Sequence, residues 1–181
     1  MGPEYLKSLS KFLSLVLRHK PEVIGLTLDK NGWADVEKLI EGSIGKGKDM
    51  DLPILEMIVA TDEKQRYSFN EDKTAIRANQ GHSVKVDLEL EPVKPPKILY
   101  HGTVDRYIES IMRKGLEPQS RNHVHLSETE ETAFDVGERR GDSIIFKIFA
   151  GAMYRDGYHF FQSANGVWLV QHVPNKYLDI L

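Results

Sequence analysis

The sequence predicts an α+β protein built from two lobes. Helical periodicity dominates residues 1–90 and strand-like runs dominate residues 98–181. Between them, Glu91-Pro92-Val93-Lys94-Pro95-Pro96-Lys97 places three prolines in seven residues, a stretch that stays extended and feeds neither a helix nor a central strand. A chain of 181 residues is long enough for one large domain or two small ones, each able to bury a core.

In the first lobe, Leu6, Leu9, Phe12, Leu13, Val16 and Leu17 recur at helical spacing, which predicts a helix from about Tyr5 to Leu17 with one face buried. Pro21 disfavours helix at Lys20 and stops it, so Arg18 and His19 fall on the last turn, where the negative end of the helix dipole favours an imidazolium. Two further helices are expected, Ala34 to Glu41 and Pro53 to Thr61. Gln65 to Phe69 alternates like a short strand, with Lys73–Ala78 and Val84–Val86 as its partners. Three helices followed by a small hairpin form the pattern of a winged helix, a fold that by itself does not establish a function. In the second lobe, strands are expected at Ile98–His101, His123–Ser127, Ile144–Phe149 and Val167–His172. Helices are expected at Asp105–Lys114, ended by Gly115, and at Glu130–Arg139.

Composition excludes several classes of function. A formal charge of −3 leaves no general polycation to hold nucleic acid by counterion release, so any such contact must be a local patch. Residues 1–90 carry ten Lys and three Arg, whereas residues 91–181 carry five Lys and six Arg, a tilt towards the residue that grips phosphate bidentately. The absence of cysteine excludes disulfides and thiolate metal sites and fits a cytoplasmic protein. No apolar run approaches a membrane span, Met1-Gly2-Pro3-Glu4 has no signal-peptide pattern, and the chain is expected to act as a monomer away from membranes. There is no GxxxxGK[ST] loop to support nucleoside triphosphate hydrolysis.

Four clusters suit chemistry on phosphate. Arg18-His19-Lys20-Pro21 pairs a cation with an imidazole at a helix end, although the same residues also serve as a plain dipole cap. Tyr100-His101-Gly102-Thr103 ends a strand in a glycine, where backbone can approach a ligand while His101 and Thr103 offer polar groups. In His123-Val124-His125-Leu126-Ser127, a period of two sets His123, His125 and Ser127 on one face. No carboxylate lies within that strand to complete a metal site, so ligand hydrogen bonding or simple half-burial is expected and no metal is. Asn79-Gln80-Gly81-His82-Ser83 is either an ordinary turn or a set of donors, from Gln80, His82 and Ser83, for a phosphate or ribose. Arg121, Arg139 and Arg140 stand at element ends, where an arginine reaches a ligand or is simply solvated.

Together these segments resemble the NAD-dependent RNA (tRNA) 2′-phosphotransferase family over nearly the whole chain. The resemblance rests on Leu9 to Pro21, Gly32-Trp33, Lys64-Gln65-Arg66-Tyr67, Arg77 to Ser83, Tyr100 to Thr103 and Arg121 to Ser127, six segments in family order. It implies a winged-helix-like lobe over residues 1–90, a linker over 91–97 and an ADP-ribosyltransferase-like, NAD-binding lobe over 98–181. It further implies a two-step reaction. The internal 2′-phosphate of an RNA, as left in spliced tRNA, attacks the nicotinamide ribose of NAD and expels nicotinamide; the adjacent ribose hydroxyl then attacks phosphorus. The products are RNA with a free 2′-hydroxyl, ADP-ribose 1″,2″-cyclic phosphate and nicotinamide.

On this resemblance Arg18, His19, Arg66 and Arg121 look like the family's essential basic quartet. His101, Gly102, Thr103, His125 and Ser127 look like its NAD-binding residues, with Gln80, His82, Ser83, His123, Arg139 and Arg140 towards RNA or phosphate. A phosphate dianion is already a nucleophile, so such a site needs positioning and charge neutralisation more than a general base. Many ADP-ribosyltransferases carry a catalytic Glu on a later core strand, and the corresponding Asn165-Gly166-Val167-Trp168 has no carboxylate. Two alternatives share these features: transfer of ADP-ribose to a terminal phosphate of nucleic acid, and a non-catalytic winged-helix RNA-binding module.

Overall fold

Leu9, Leu13, Val16 and Leu17 all lie at 0% exposure on one stripe of helix α1 (Pro3–Arg18), with Pro3 in its first turn and Arg18 in its last. In this computed structural model, which describes residues 1–181, the chain divides into two compact units, Met1–Glu89 and Leu90–Leu181. In the first unit, α2 (Val36–Gly45) and α3 (Leu52–Thr61) start at aspartates. Asp35 accepts from the Lys38 N–H at 2.9 Å, and Asp51 accepts from the Ile54 N–H at 2.8 Å. Strands β1 (Ala34–Asp35), β2 (Tyr67–Phe69) and β3 (Ala75–Ala78) form an antiparallel sheet in the order β1-β3-β2. Leu39, Leu55, Ile58, Tyr67 and Ile76 join the α1 stripe in one core. The Tyr67 hydroxyl is satisfied within it, donating to the Ser10 carbonyl at 2.8 Å beside Ser14 Oγ at 2.7 Å.

Two expected elements of this unit are corrected. Ala34 and Asp35 are strand rather than helix, because Asp35 caps the helix behind it; that helix then runs on to Gly45, four residues past the expected end. Val84–Val86 is not a strand. The Ser83 and Val84 N–H groups instead donate to the Arg18 carbonyl at 2.9 and 3.3 Å, and β1 takes the third place in the sheet.

The second unit holds β4 (Leu99–Val104), α4 (Ile108–Lys114), β5 (Val124–Leu126), α5 (Glu130–Glu138), β6 (Ser143–Ile148), α6 (Ala150–Arg155), β7 (Phe160–Gln162), β8 (Trp168–Val170) and β9 (Leu178–Ile180). The first turn expected of α4 is a 3₁₀ turn, Asp105–Tyr107. Two antiparallel sheets result, β4-β6-β9 and β5-β8-β7. They are joined where Tyr100 and Ser127 exchange N–H···O=C bonds of 2.8 Å in both directions. Leu99, Leu126, Phe146, Ile148, Phe160 and Trp168 fill the core. Elements α6, β7 and β9, of three to six residues, are too short to show a period in the sequence. The prolines of Glu91–Lys97 lie within this unit: the Val93 N–H donates to the Phe160 carbonyl at 2.7 Å, and the Lys97 carbonyl accepts from Gly151 at 2.9 Å.

Helix α5 lies directly on β4 and β6 through small residues. A Cβ built on Gly102 would stand 1.7 Å from the Ala133 carbonyl oxygen, and one on Gly137 would stand 2.2 Å from Ser143 Oγ. The space beside Gly102 that the sequence suggested for a ligand is thus filled on its Cβ side by α5. Gly102→Ala is expected to force α5 off the sheet and destabilise the protein by about 3 kcal/mol. Gly45→Ala, where a Cβ meets nothing within 4 Å, should be neutral or stabilising by up to about 1 kcal/mol. Urea unfolding of the two variants checks the contrast.

Candidate functional site

In the first unit the end of α1 and the loop after β3 are locked together. The last carbonyls of a helix have no intrahelical partner; here the Arg18 carbonyl takes the Ser83 and Val84 N–H groups, and the Leu15 carbonyl takes those of His19 and Lys20 at 3.0 and 2.8 Å. The same loop meets the side chains. His19 Nδ1 lies 2.9 Å from Ser83 Oγ, which fixes the ring. Gly81, at φ +91°, lets the backbone pass against the Arg18 guanidinium, whose Cζ would be 3.3 Å from any Cβ there. Arg18, His19, Gly81, His82 and Ser83, which the sequence presents as two separate segments, therefore form one cluster. Gln80 is half-buried beside it.

His82 is placed differently from the expectation of a surface donor. It is 2% exposed, and its Nε2, which has no hydrogen-bond partner, lies against Gly32. Burial, then the fields of Arg18, His19 and Arg77, lower its pKa to about 4. The imidazole is a neutral strut among cations.

Arg66 precedes β2, and its guanidinium pairs with Asp62, which also accepts the Arg66 backbone N–H at 2.7 Å. Asp62 is 6% exposed and Arg66 30%, so a mostly buried carboxylate aims a half-open cation. Sequence reasoning missed Asp62; an acid four residues before the arginine, at the end of α3, was its only signal. On the next strand, Arg77 stacks over Trp33, with Cζ 4.5 Å from the ring centroid.

In the second unit, His101 on β4 donates from Nδ1 to the His125 carbonyl at 3.0 Å, which leaves Nε2 as the acceptor. Burial is the main force lowering the His101 pKa; the His125 carbonyl opposes it, and Arg140 and Arg121 add to it. Arg121 donates from a terminal nitrogen to His125 Nδ1 at 3.1 Å. Desolvation, then the field of Arg140, lower the Arg121 pKa from a value far above neutrality, so it remains a cation. His101, Arg121, His125 and Arg140 thus share one neighbourhood, and Ser127 enters it through the backbone pair with Tyr100. Strand alternation points the Gly102 N–H and C=O to the same edge of β4 as those of Tyr100. Thr103 is buried. His123 packs on Phe161 with ring centroids 5.8 Å apart, and burial lowers its pKa. Arg139 caps the end of α5 and is exposed. Trp168 donates from its indole nitrogen to Glu128 at 2.8 Å, a contact that no sequence spacing indicated.

A family model described as "RNA 2′-phosphotransferase, Tpt1 / KptA family" matches residues 4–172. A probable RNA 2′-phosphotransferase of Flavobacterium johnsoniae is 54% identical over 179 residues, 99% of this chain and 98% of that one. Another from Hahella chejuensis is 53% identical over 97% of this chain and 95% of that one. One from Pseudomonas fluorescens is 45% identical over the full length of both.

The buried His82 gives the first unit a pH signature. Its folded pKa of about 4 lies below the ordinary 6.5, so the stability it contributes is present above about pH 6.5 and is lost as pH falls towards 4. The shift corresponds to about 3 kcal/mol between pH 7 and pH 4. Unfolding free energies measured across that range should fall less steeply by this amount in His82→Gln than in the parent.

Proposed function

The chain belongs to the RNA 2′-phosphotransferase family, and from that premise we propose that it removes an internal 2′-phosphate from RNA at the expense of NAD. NAD is consumed as a substrate: the RNA 2′-phosphate displaces its nicotinamide, and the phosphate then leaves the RNA as ADP-ribose 1″,2″-cyclic phosphate. The observation that carries the reading is the clamp between the end of α1 and the loop 81–84, which holds Arg18 and His19 in fixed orientation. Three helices and a three-stranded sheet support a winged-helix-like first unit. Two packed three-stranded sheets support an ADP-ribosyltransferase-like second unit.

The roles follow unit by unit. Arg18 and Arg66 grip oxygens of the 2′-phosphate; their planar forks suit bidentate contact, and the buried Asp62 keeps the Arg66 fork from collapsing onto the surface. His19, held by Ser83, donates to the phosphate or returns a proton to the RNA oxygen that leaves. In the second unit the donor set fits a dinucleotide diphosphate. Two guanidiniums, Arg121 and Arg140, lie close enough to perturb one another, and His101 has its tautomer fixed by a backbone carbonyl. His101, the backbone N–H and C=O of Gly102, His125 and Ser127 hold the NAD, and the buried Thr103 supports the strand behind them. Arg121 stabilises charge at phosphorus, and Arg139, Arg140 and His123 lie towards the RNA or NAD phosphates. The arginines supply the neutralisation for which other phosphoryl-transfer sites use metal ions, so no metal is required.

Incubation with a short RNA bearing one internal 2′-phosphate, with and without NAD, tests this. The expected result is NAD-dependent loss of that phosphate with release of nicotinamide and ADP-ribose cyclic phosphate. Arg18→Ala and Arg121→Ala should each lower kcat/KM by about 100-fold or more; full activity in both overturns the reading. An ADP-ribosylated RNA that accumulates without cyclic phosphate points instead to transfer onto nucleic-acid phosphate. Ser83→Ala, which removes the Oγ contact to His19 Nδ1, should cost about tenfold in kcat.

A further inference from the structure

Arg77 is a cation with no counter-ion in a region already rich in cations. Among its neighbours are Arg18 and His19, since the charges of all three bear on His82. It forms no ion pair. Its terminal nitrogen reaches the Asn31 carbonyl at 3.3 Å, and its Nε is buried with no partner. Leaving a guanidinium in this condition is costly unless an anion visits it. The side chain is also held in place. The Trp33 ring lies under it at 4.5 Å, and Asp29 fixes the loop that carries Trp33, accepting the Asn31 and Trp33 N–H groups at 2.9 Å each. An arginine stacked in this way loses little entropy on binding a phosphate.

Strand register relates Arg77 to Arg66. Tyr67 pairs with Ala78, both buried, and Ser68 pairs with Arg77, both half-buried. The Asn79 N–H donates to the Arg66 carbonyl at 2.8 Å, which extends the alternation by one step and sets Arg66 and Arg77 on one face of the hairpin, diagonal to each other. In RNA the 2′-phosphate and the 3′-phosphodiester hang from adjacent ribose carbons. Residues that hold the first leave the second about one phosphate away.

We infer that Arg77, stacked on Trp33, binds a phosphodiester of the RNA chain beside the 2′-phosphorylated nucleotide, and so selects polynucleotide over mononucleotide substrates. This rests on the function proposed above and adds a residue to it. Arg77 is a binding residue that takes no part in the chemistry. Its contribution is electrostatic, depends on salt and is absent for a nucleoside 2′-phosphate, which has no phosphodiester.

The test is equilibrium binding, without NAD, of a single-stranded RNA carrying one internal 2′-phosphate, and of adenosine 2′-phosphate, at several salt concentrations. Arg77→Met keeps an apolar contact with Trp33 and removes the charge. It should weaken RNA binding about tenfold at low salt and flatten the log K against log salt plot by about 0.7. Affinity for adenosine 2′-phosphate should stay within about twofold of the parent. Arg77→Lys, which keeps the charge, should restore the salt slope. In turnover, Arg77→Met should raise KM for the RNA and leave kcat unchanged. An unchanged slope, or equal loss on both ligands, overturns the inference and makes Arg77 a prop for Trp33; so does a parent protein that binds no RNA. A parent that binds the RNA with a slope lowered by Arg77→Met, yet releases no nicotinamide, sinks the proposed function and leaves Arg77 as an RNA-binding residue.

Discussion

Helix α1 ends with a carbonyl that needs a donor, and the loop after β3 supplies two. The Ser83 and Val84 N–H groups on the Arg18 carbonyl tie the first helix of the first unit to the end of its sheet. Much else follows from that closure. Gly81 must adopt a left-handed φ for the loop to turn there. His82 is thereby carried into the interior, and Ser83 meets His19. A helix terminus that would otherwise fray becomes a rigid platform for a guanidinium and an imidazole.

Crowding cations in a partly desolvated place raises the question of what keeps them from repelling one another apart. The structure answers with neutrality at the centre. His82 is held uncharged by burial and by the cations around it, so it supports Arg18, His19 and Arg77 without adding to their repulsion. Arg66 has a carboxylate beneath it, and there Asp62 is mostly buried while the arginine is half-open. On the function proposed above, a phosphate dianion arriving at such a site relieves the repulsion. In the second unit the corresponding device is steric. Gly102 and Gly137 let α5 sit on β4 and β6, and that contact aligns the strand carrying His101.

The α1 stripe of Leu9, Leu13, Val16 and Leu17 stood out because burial with a 3.6-residue period is a local property, and the helix ended within a residue of the expectation. Helix α2 starts two residues later than its sequence pattern predicts because Asp35 serves both as the last strand residue and as the cap. Val84–Val86 alternates like a strand, yet the N–H of its first residue is claimed by a helix end distant in sequence. Elements α6, β7 and β9 are held by their partners rather than by any pattern of their own.

At the candidate site, residue types were legible and their surroundings were not. Arginine and histidine clusters in a fixed order announce phosphate chemistry, because few other side chains hold a phosphate bidentately and titrate near neutrality. That His82 is interior, that Gly102 makes room for a helix, and that Trp33 carries Arg77 were all decided by tertiary structure. The physical reason is range: periodicity, caps and side-chain chemistry act over a few residues along the chain. Burial, desolvation and the field of neighbouring charges depend on groups that only folding brings together.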